Sequence, residues 1–457
     1  MTGHSLIAIA CLSLLGTGGL RAQNWSNTLS TMEKKFQPLS WVQETNVYEV
    51  NVRQYTPEGT FTAFSQSLPR LKEMGVGTLW FMPVTPISHE KRQGSLGSYY
   101  ACADYTGVNP EFGSLEDFRS LVAQAHQLGM KVIIDWVANH TGWDNKWVKS
   151  NPDFYKKNEH GECYDNHGWA DVIDLDYGNP GMRKAMIASM EFWVKTCDID
   201  GFRCDMAMLV PLDFWQQARQ ELDSIKPLFW MAETDQMDNP DYLTVFDAAY
   251  TWSWMHASTQ FYQQHGSIAS LDSLLLAYDR QPPREAIRLL FTSNHDENTW
   301  NGSEYEKYGD MAPSLAVFSC TWNGIPMTYS GQELPNHKRL KFFDRDPIDW
   351  GTGTPALQDF YHRLLTLHSR NPALRAGDPE VTTYRLHTSS DDRIFGYLRK
   401  RGDKEVLVFL NWSKDTVSFR LQDNWAHGTY RDVFTGKDTD AGQEWSLQAW
   451  GYAVMER

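Results

Sequence analysis

Residues 201–207, GFRCDMA, place two charged side chains in a segment that otherwise has the composition of a buried strand. Arg203 and Asp205 are two residues apart, so on a β-strand both side chains point to the same face. Charged side chains are seldom fully buried unless they are paired. The arginine should favour the ionised carboxylate and lower the pKa of Asp205. A carboxylate that stays ionised suits a nucleophile or a group that stabilises a cation.

Polar residues also stand at the carboxyl ends of three other candidate strands. Each motif alone could be a helix cap, a turn or a buried ion pair, but unpaired buried acids are costly, so four such ends on one rim indicate chemistry. If a drier site raises the pKa of Glu233, the protein has two carboxyl groups with different pKa values, the pattern of glycoside cleavage. The residues are Asp135, Asn139 and His140 in DWVANH, Glu233 in MAETD, and Asn294, His295 and Asp296 in TSNHDEN.

The elements that must position these residues alternate between helix and strand. An amphipathic helix ends at a glycine and an apolar strand follows, as in SLEDFRSLVAQAHQLG before KVIIDWV. In that helix Ser114 and Asp117 have capping-box spacing, and Gly129 supplies the stop. This alternation predicts a parallel sheet, and eight such units predict a closed (β/α)8 TIM barrel. The candidate strands are residues 47–55, 78–84, 131–137, 201–206, 228–233, 248–253, 289–296 and 324–330.

The pattern differs in two regions outside this α/β barrel, which we predict over residues 23–140 and 181–372. Residues 141–180 contain Gly, Asn, Asp, His and Trp with little periodicity, and they predict a small inserted domain after the third strand. Segments such as RIFGYLRK and EVLVFLNW alternate in the manner of β-strands between turn residues. Residues 373–457 therefore predict a C-terminal antiparallel β-sandwich.

Composition excludes some classes of protein. The formal net charge of -15 argues against nucleic acid as a partner. The 19 Trp and 20 Tyr suit sugar binding, because flat rings cover the apolar face of a pyranose. Residues 1–22 resemble a signal peptide cut near Ala22, which predicts a secreted or periplasmic protein, with Cys11 poorly placed for a lipoprotein anchor. No later segment has the length of a transmembrane helix.

The cysteine count argues against a disulfide scaffold. The cysteines after residue 22 are odd in number and cannot all pair within one chain. One bridge, between Cys102 and Cys163, stays open as an alternative. The cysteines are Cys102, Cys163, Cys197, Cys204 and Cys320.

In chain order, DWVANH, GFRCD, the glutamate of MAETD and NHD resemble the motifs of the α-amylase family of glycoside hydrolases. SYYACADYTGVNPEFG is similar to the family's loop after the second strand, VIDLD to a motif of its inserted domain, and GIPMTYSGQE to its eighth strand. The resemblance extends from about residue 45 to the C-terminus. It implies retaining hydrolysis of α-1,4-glucosidic bonds in starch-derived α-glucans and maltooligosaccharides.

The resemblance also implies a role for each matching residue. Asp205 is the nucleophile, Glu233 is the general acid and then the base, and Asp296 stabilises the oxocarbenium-like transition state. Arg203 orients the nucleophile. His140 and His295 hydrogen-bond the sugar beside the scissile bond, and Tyr100 stacks under that sugar.

A structural calcium site is implied as well, because oxygen ligands suit this ion. Its ligands would be Asn139, Asp174 and the main-chain carbonyl of Leu209. The resemblance gives Asp135 and Asp104 the task of holding loops together. Trp169 is predicted either to line the substrate cleft or to pack in the core.

One departure from the family bears on specificity. Many α-amylases have Lys and His three and four residues after the nucleophile, where they bind the leaving-group sugars. This chain has Met208 and Leu209 there, which offer only apolar contact. Polar contacts could come instead from the loop after the eighth strand, from His337, Lys338 and Arg339, or these three residues form a solvated surface.

Three alternatives remain beside α-glucan hydrolysis. A non-catalytic binding protein of this fold typically lacks one of the three acids, and this chain has all three. A barrel metalloenzyme would use His140 and His295, but no HxH or HxxxH spacing supports a zinc site. A neopullulanase-like or cyclomaltodextrinase-like enzyme, or a transglycosylating glucosyltransferase or isomerase, would use the same retaining chemistry.

Overall fold

The computed structural model describes residues 35–264 and 266–457, so the predicted signal peptide lies outside the described residues. In this part of the chain, ten strands precede the C-terminal region. They are β1 (Val47–Val50), β2 (Thr78–Phe81), β3 (Lys131–Trp136), β4 (His140–Gly142), β5 (Val172–Asp174), β6 (Gly201–Cys204), β7 (Phe229–Asp235), β8 (Ala248–Tyr250), β9 (Ile287–Leu290) and β10 (Ile325–Tyr329).

Eight of these strands form a closed barrel. Its order is β1-β10-β9-β8-β7-β6-β3-β2, and every neighbouring pair is parallel. Each barrel strand falls within or overlaps one of the eight predicted segments, so the predicted (β/α)8 barrel is confirmed. Its interior is filled by residues that alternate along the strands, such as Ile133, Met231 and Leu289. Their neighbours face the surrounding helices, as Val132 and Ile134 do.

Most barrel strands end earlier than the sequence predicted. The first ends at Val50 and is followed by a helical turn at Val52–Tyr55, and the seventh ends at Leu290. Beyond these points polar groups bond to neighbouring segments instead of continuing the sheet. The Asn51 side chain donates to the Tyr329 hydroxyl at 3.0 Å, and the Asn294 side-chain oxygen accepts from the Glu297 main chain at 2.8 Å.

Helices follow the strands as the sequence predicted. In the helix Leu115–Gln127, the capping box of Ser114 and Asp117 is formed in both directions. Phe118, Leu121 and Val122 bury its apolar face, and Gly129 follows with φ 72°. The helices are α1 (Val52–Tyr55), α2 (Phe61–Ser65), α3 (Leu68–Met74), α4 (Leu115–Gln127), α5 (Lys146–Ser150), α6 (Pro180–Cys197), α7 (Leu212–Asp223), α8 (Trp252–Gln264), α9 (Ile268–Arg280), α10 (Glu304–Tyr308), α11 (Ala312–Thr321) and α12 (Gln358–Arg370).

The segment between β3 and β6 carries a small sheet of its own. Strand β4 pairs antiparallel with β5, which places His140 opposite Asp174. The connection between them holds α5 and a 3-10 turn at Pro152–Phe154. This segment therefore covers the carboxyl end of β3, where predicted site residues lie.

The C-terminal region is antiparallel, as predicted. Its strands are β11 (Thr382–Leu386), β12 (Ile394–Arg401), β13 (Lys404–Asn411), β14 (Val417–Phe419), β15 (Thr429–Asp432), β16 (Asp438–Asp440), β17 (Trp445–Leu447) and β18 (Tyr452–Glu456). One sheet has the order β11-β12-β13-β18-β15-β16, and β14 and β17 form a separate pair. Leu398, Phe409, Phe419 and Trp445 share one core between the two sheets.

The cysteines and the helices settle two smaller questions. Cys102, Cys163 and the other three described cysteines are free, so the Cys102–Cys163 bridge is not formed. Among the described residues, no helix combines the length and apolar composition needed to cross a bilayer.

Candidate active site

The Arg203 guanidinium is the centre of the site. It is fully buried at the carboxyl end of β6, opposite Asp135 of β3 in the sheet register. Nη1 donates to Asp135 Oδ1 at 2.8 Å and to Asp205 Oδ1 at 2.9 Å. Nη2 lies 2.7 Å from Glu233 Oε2, but the N–H direction is not aligned, so this contact is an ion pair without a formed hydrogen bond. One guanidinium cation thus contacts three carboxyl groups.

The backbone after the nucleophile candidate turns sharply. Met206 has φ 40°, a left-handed conformation that non-glycine residues rarely adopt and that clusters at functional sites. The turn directs the Met206 N–H at Glu233, whose Oε2 accepts it at 2.8 Å. Asp205 and Glu233 are therefore linked in two ways, through the shared contact with Arg203 and through the main-chain N–H of Met206, the residue after Asp205.

The pKa values of these two carboxyl groups differ from the expectation in one respect. Burial raises the pKa of Asp205 to about 6, Arg203 lowers it, and Asp135 raises it further. The predicted lowering is thus wrong, because burial outweighs the charge of Arg203 and Asp135 adds to the rise. Burial raises the pKa of Glu233 to about 7, and Asp205 and Asp296 add to the rise against Arg203. The predicted direction for Glu233 is correct, and Glu233 keeps its proton to higher pH.

Tyr100 and His295 form one wall beside these acids. Their rings stack with centroids 5.3 Å apart, and the Tyr100 hydroxyl lies 2.7 Å from His295 Nε2. The same hydroxyl donates to Asp135 Oδ2 at 3.1 Å. Burial alone would lower the pKa of His295, but Asp296 and Glu49 outweigh it and raise that pKa to about 9. His295 is therefore an imidazolium at neutral pH.

A cavity of about 300 Å³ opens above these groups. Tyr100, His140, Asp205, Glu233 and Asp296 line it, whereas Arg203 and His295 lie buried beneath. Trp169 was predicted either to line a cleft or to pack in the core, and it lines this cavity. The further lining residues are Gln93, Ser98, Asp171, Val172, Met206, Trp300, Phe342 and Phe343.

His140 is one of the most deeply buried of the lining residues. Burial lowers its pKa to about 4, so it is neutral at physiological pH. Its ring meets Trp169 edge to face at 5.3 Å, and Nδ1 lies 3.2 Å from the Asn139 side-chain nitrogen. Both ring nitrogens of His295 are also engaged, by Glu49 and Tyr100. Neither histidine belongs to the group of metal-ligating side chains found among the described residues, which is Asp165, His167 and Asp174.

The predicted leaving-group contacts lie differently. Met206 lines the cavity, while Met208 and Leu209 are not among its lining residues in the described chain. Arg339 pairs with Glu306 at 2.9 Å, and the His337 ring stacks on Tyr305 at 4.2 Å. Lys338 pairs with Asp346. The loop after β10 contributes Phe342 and Phe343 to the cavity instead.

The loop-holding residues separate into two cases. Asp104 pairs with Lys146 and accepts from the Thr106 main chain at 3.1 Å, so it joins the loop after β2 to α5. Asp135 does more than hold a loop, since it binds both Arg203 and Tyr100. Asn294 lies fully buried and caps the turn that carries His295 and Asp296.

The implied calcium ligands are partly engaged with other groups. Asp174 is fully buried, and its Oδ1 has no hydrogen-bond partner among the described residues, which suits a cation. Its Oδ2 pairs with Lys156 Nζ at 3.1 Å. Ligand atoms of Asp165 and His167 lie within 4.8 Å of each other and of Asp174. The free oxygen fits a cation, and the ammonium already supplies part of the charge.

Sequence reasoning missed Glu49 and the aromatic wall of the cavity. Glu49 interrupts the apolar run of β1, VYEV, and a charge inside such a run is the same signal that singled out Arg203. Trp300 is 52% exposed and lies 5.5 Å from the Phe342 ring, which stacks on Tyr100 at 6.2 Å. These aromatic residues come from separate loops, so no local pattern in the sequence brings them together.

Two family models match the chain. The model described as alpha amylase, catalytic domain, matches residues 30–167 and 153–347, and the model described as maltogenic amylase, C-terminal domain, matches residues 384–454. The chain belongs to the α-amylase family. The C-terminal match falls on the antiparallel region from β11 to β18.

Named relatives in this family are distant. The chain is 25% identical to the α-amylase MalA of Haloarcula japonica over 402 residues, which cover 84% of this chain and 57% of that protein. It is 24% identical to the cyclomaltodextrinase of Thermoanaerobacter pseudethanolicus, with 79% of this chain and 65% of that protein covered. The chain thus spans less than two thirds of the length of both relatives.

Solved structures of the family cover nearly the whole chain. The noncanonic maltogenic α-amylase AmyB from Thermotoga neapolitana has a TM-score of 0.83 at 28% identity and covers 91% of this chain and 99% of its own. An α-amylase from Lactobacillus plantarum has a TM-score of 0.81 at 26% identity, with 92% and 100% covered. The barrel and the C-terminal sheet therefore occur together in these relatives.

The raised pKa of Glu233 predicts a pH-dependent effect on stability. Its folded-state pKa of about 7 lies above the ordinary 4.5, so ionisation destabilises the fold as pH rises from 4.5 through 7. We expect Glu233→Gln to raise the free energy of unfolding at pH 8, by up to about 3 kcal/mol, and not at pH 4. Urea unfolding at the two pH values measures this.

The control for this measurement is Glu306→Gln. Glu306 is exposed, and its hydrogen bond to Arg339 lowers its pKa to about 2, so its removal should give no gain at pH 8. If Glu233→Gln changes stability equally at pH 4 and pH 8, the carboxyl group is not strained by burial and the raised pKa is wrong.

Proposed function

We propose that this protein is a secreted or periplasmic retaining α-glucan hydrolase that cleaves α-1,4-glucosidic bonds in starch-derived maltooligosaccharides. The observation that carries the proposal is the Arg203 guanidinium, which holds Asp205 and Glu233 on neighbouring nitrogens beneath an open cavity. Two carboxyl groups held close together suit a double displacement through a covalent intermediate.

The mechanism follows from the different contacts of the two carboxyl groups. Asp205 accepts an aligned hydrogen bond from Arg203, which favours its ionised form, whereas burial, Asp205 and Asp296 raise the pKa of Glu233 and favour its protonated form. Glu233 protonates the glycosidic oxygen while Asp205 attacks the anomeric carbon, so the leaving sugar departs with the proton. Glu233 then takes a proton from water, and that water displaces Asp205 and restores both groups.

The other polar residues act on the sugar at the cleavage point. Asp296, 40% exposed at its side chain, reaches into the cavity and stabilises positive charge at the anomeric carbon. Tyr100 supplies a flat ring beneath the sugar, and His140 supplies a neutral hydrogen-bonding group. The cationic His295 lies behind Tyr100 and Asp296, at 2.7 and 3.4 Å from their oxygens.

A second candidate function is that of a maltogenic, neopullulanase-like or cyclomaltodextrinase-like enzyme, or of a transglycosylating relative. The match of residues 384–454 to the maltogenic amylase C-terminal domain favours it, as does the apolar pair Met208 and Leu209. The products formed from starch, pullulan, cyclodextrin and maltose distinguish the candidates. An α-amylase acts mainly on starch, whereas a cyclomaltodextrinase opens cyclodextrin faster.

Activity should depend on the two carboxyl groups that share Arg203. We expect Asp205→Asn and Glu233→Gln each to lower kcat on maltooligosaccharides at least about 10³-fold, because each removes one member of a unit that acts together. The control is Asp213→Asn, an exposed carboxyl group paired with Arg183 outside the cavity. Near-normal turnover by either catalytic variant would refute the assignment.

The anomeric configuration should be retained. A covalent intermediate on Asp205 inverts the anomeric carbon twice, so the first product released is the α-anomer. Proton NMR during the first minutes of maltooligosaccharide hydrolysis, before mutarotation, distinguishes the anomers. If the β-anomer appears first, water attacks directly and Asp205 is not the nucleophile.

We also propose that calcium binds at Asp174, with Asn139 and the main-chain carbonyl of Leu209. The unpartnered buried Oδ1 of Asp174 supports this proposal. A bound ion stabilises the folded state by linkage, so EGTA should lower the melting temperature of the wild type. Lys156→Met should increase this loss, because Asp174 then depends on the ion alone. If EGTA changes the melting temperature of neither protein, no calcium binds at Asp174 and the proposal is refuted.

A further inference from the structure

Glu49 is a buried carboxyl group at the base of the proposed site. It is the third residue of β1, lies between Trp80 of β2 and Tyr329 of β10 in the barrel, and is fully buried. Its main-chain carbonyl is held by the Ser330 hydroxyl at 2.6 Å. An isolated buried carboxylate costs free energy of folding, so the surrounding fold must provide a partner for it.

That partner is His295. Glu49 Oε1 lies 2.5 Å from His295 Nδ1, and the Glu49 Oε2 atom has no hydrogen-bond partner in the described part of the chain. On the other side of the ring, Nε2 lies 2.7 Å from the Tyr100 hydroxyl and 3.4 Å from Asp296 Oδ2. The imidazole therefore links a buried strand to two residues that line the cavity.

We propose that Glu49 is a positioning residue for the proposed reaction, which holds the His295 ring with both nitrogens protonated, with Nε2–H directed at the Tyr100 hydroxyl and with the positive charge beside Asp296. The inference rests on the proposed function for its consequence in catalysis, but the state of the His295 ring can be measured without any substrate. The short contact at Nδ1 requires a proton between the two atoms. The Tyr100 hydroxyl donates to Asp135 Oδ2 at 3.1 Å, so its oxygen accepts the second proton, on Nε2, and the ring charge lies 3.4 Å from Asp296 Oδ2.

The charges around His295 show why Glu49 is needed. Burial and the Arg203 cation disfavour the imidazolium, while Asp296 and Glu49 favour it. Asp135 of β3 also faces His295 and benefits from its charge. The groups that face the ring are thus Glu49, Tyr100, Asp135, Arg203 and Asp296. Without the charge of Glu49, two carboxylates must balance burial and the neighbouring guanidinium.

The direct test is the protonation state of His295. Selective ¹⁵N-histidine labelling of the full protein, with the signal assigned by its absence in His295→Gln, reports protonation of both ring nitrogens. We expect the wild type to show a doubly protonated ring at pH 8. Glu49→Gln keeps an oxygen that can accept from Nδ1 but removes the charge, so the ring should become neutral at pH 8. An imidazolium that persists in Glu49→Gln overturns the proposal.

The kinetic test separates positioning from a purely structural effect. For Glu49→Gln we expect kcat on maltooligosaccharides to fall about 10- to 100-fold, as for other residues that orient a functional side chain. The alkaline limb of the pH profile should move to lower pH, because loss of the His295 proton now precedes that of Glu233. A uniform loss of activity with an unmoved profile, accompanied by a lower melting temperature, shows a structural role and overturns the proposal.

A double-mutant cycle completes the test. If Glu49 acts through His295, then Glu49→Gln should have little further effect on kcat in a His295→Gln background. Full additivity of the two losses overturns the proposal. The matched control is Glu333→Gln, which also removes a fully buried carboxyl group. Glu333 bonds to Tyr48 and Arg70 and not to His295. If the proposed hydrolysis fails on every α-glucan, the NMR result still decides the assignment of Glu49.

Discussion

The buried guanidinium of Arg203 is the constraint on which the rest of the site depends. It carries one positive charge and contacts Asp135, Asp205 and Glu233, while the nearby His295 supplies a second charge. Glu49 and Asp296 share that second charge. Five carboxyl groups therefore face two cations, and the site approaches neutrality only if protons remain on some of them. Burial, Asp205 and Asp296 raise the pKa of Glu233, so Glu233 is one of the groups that keep a proton.

In the proposed reaction, the contacts of the two carboxyl groups decide which one is the acid and which one is the nucleophile. Asp205 accepts an aligned hydrogen bond from Arg203, whereas Glu233 has only an unaligned contact with the same guanidinium and a main-chain donor at Met206. The better hydrogen bond favours the ionised form of Asp205. Glu233 lies on β7 and Asp205 follows directly after the neighbouring parallel strand β6, and rigid strands hold reacting groups more accurately than loops do.

The sequence predicted the fold well and the electrostatics of the site less well, for physical reasons. Helix caps, glycine stops and apolar periodicity depend on residues close together in the chain. Signals such as the Ser114–Asp117 cap therefore mark the helices, and the alternation of helices and strands predicts the barrel. The pKa of Asp205 depends first on burial and then on Arg203 and Asp135, and Asp135 reaches that guanidinium from another strand. Glu49 was visible as a charge within β1, but its partner is 246 residues away. Trp300 and Phe342 meet only through tertiary packing.

The cavity combines a charged floor with an apolar rim, and this division bears on how sugars are held. The floor contains Asp205, Glu233 and Asp296, and in the proposed reaction these three acids act on one glycosidic bond. The segment after Asp205 contributes to the rim through Met206, which the left-handed turn brings to the cavity, and not through Met208 or Leu209 among the described residues. Trp169 and Trp300 add flat rings, and Ser98, Gln93 and Asp171 are the polar residues of the same rim. Because apolar contact distinguishes sugars less sharply than hydrogen bonds do, we expect the proposed enzyme to discriminate between α-glucans through these polar residues and His140.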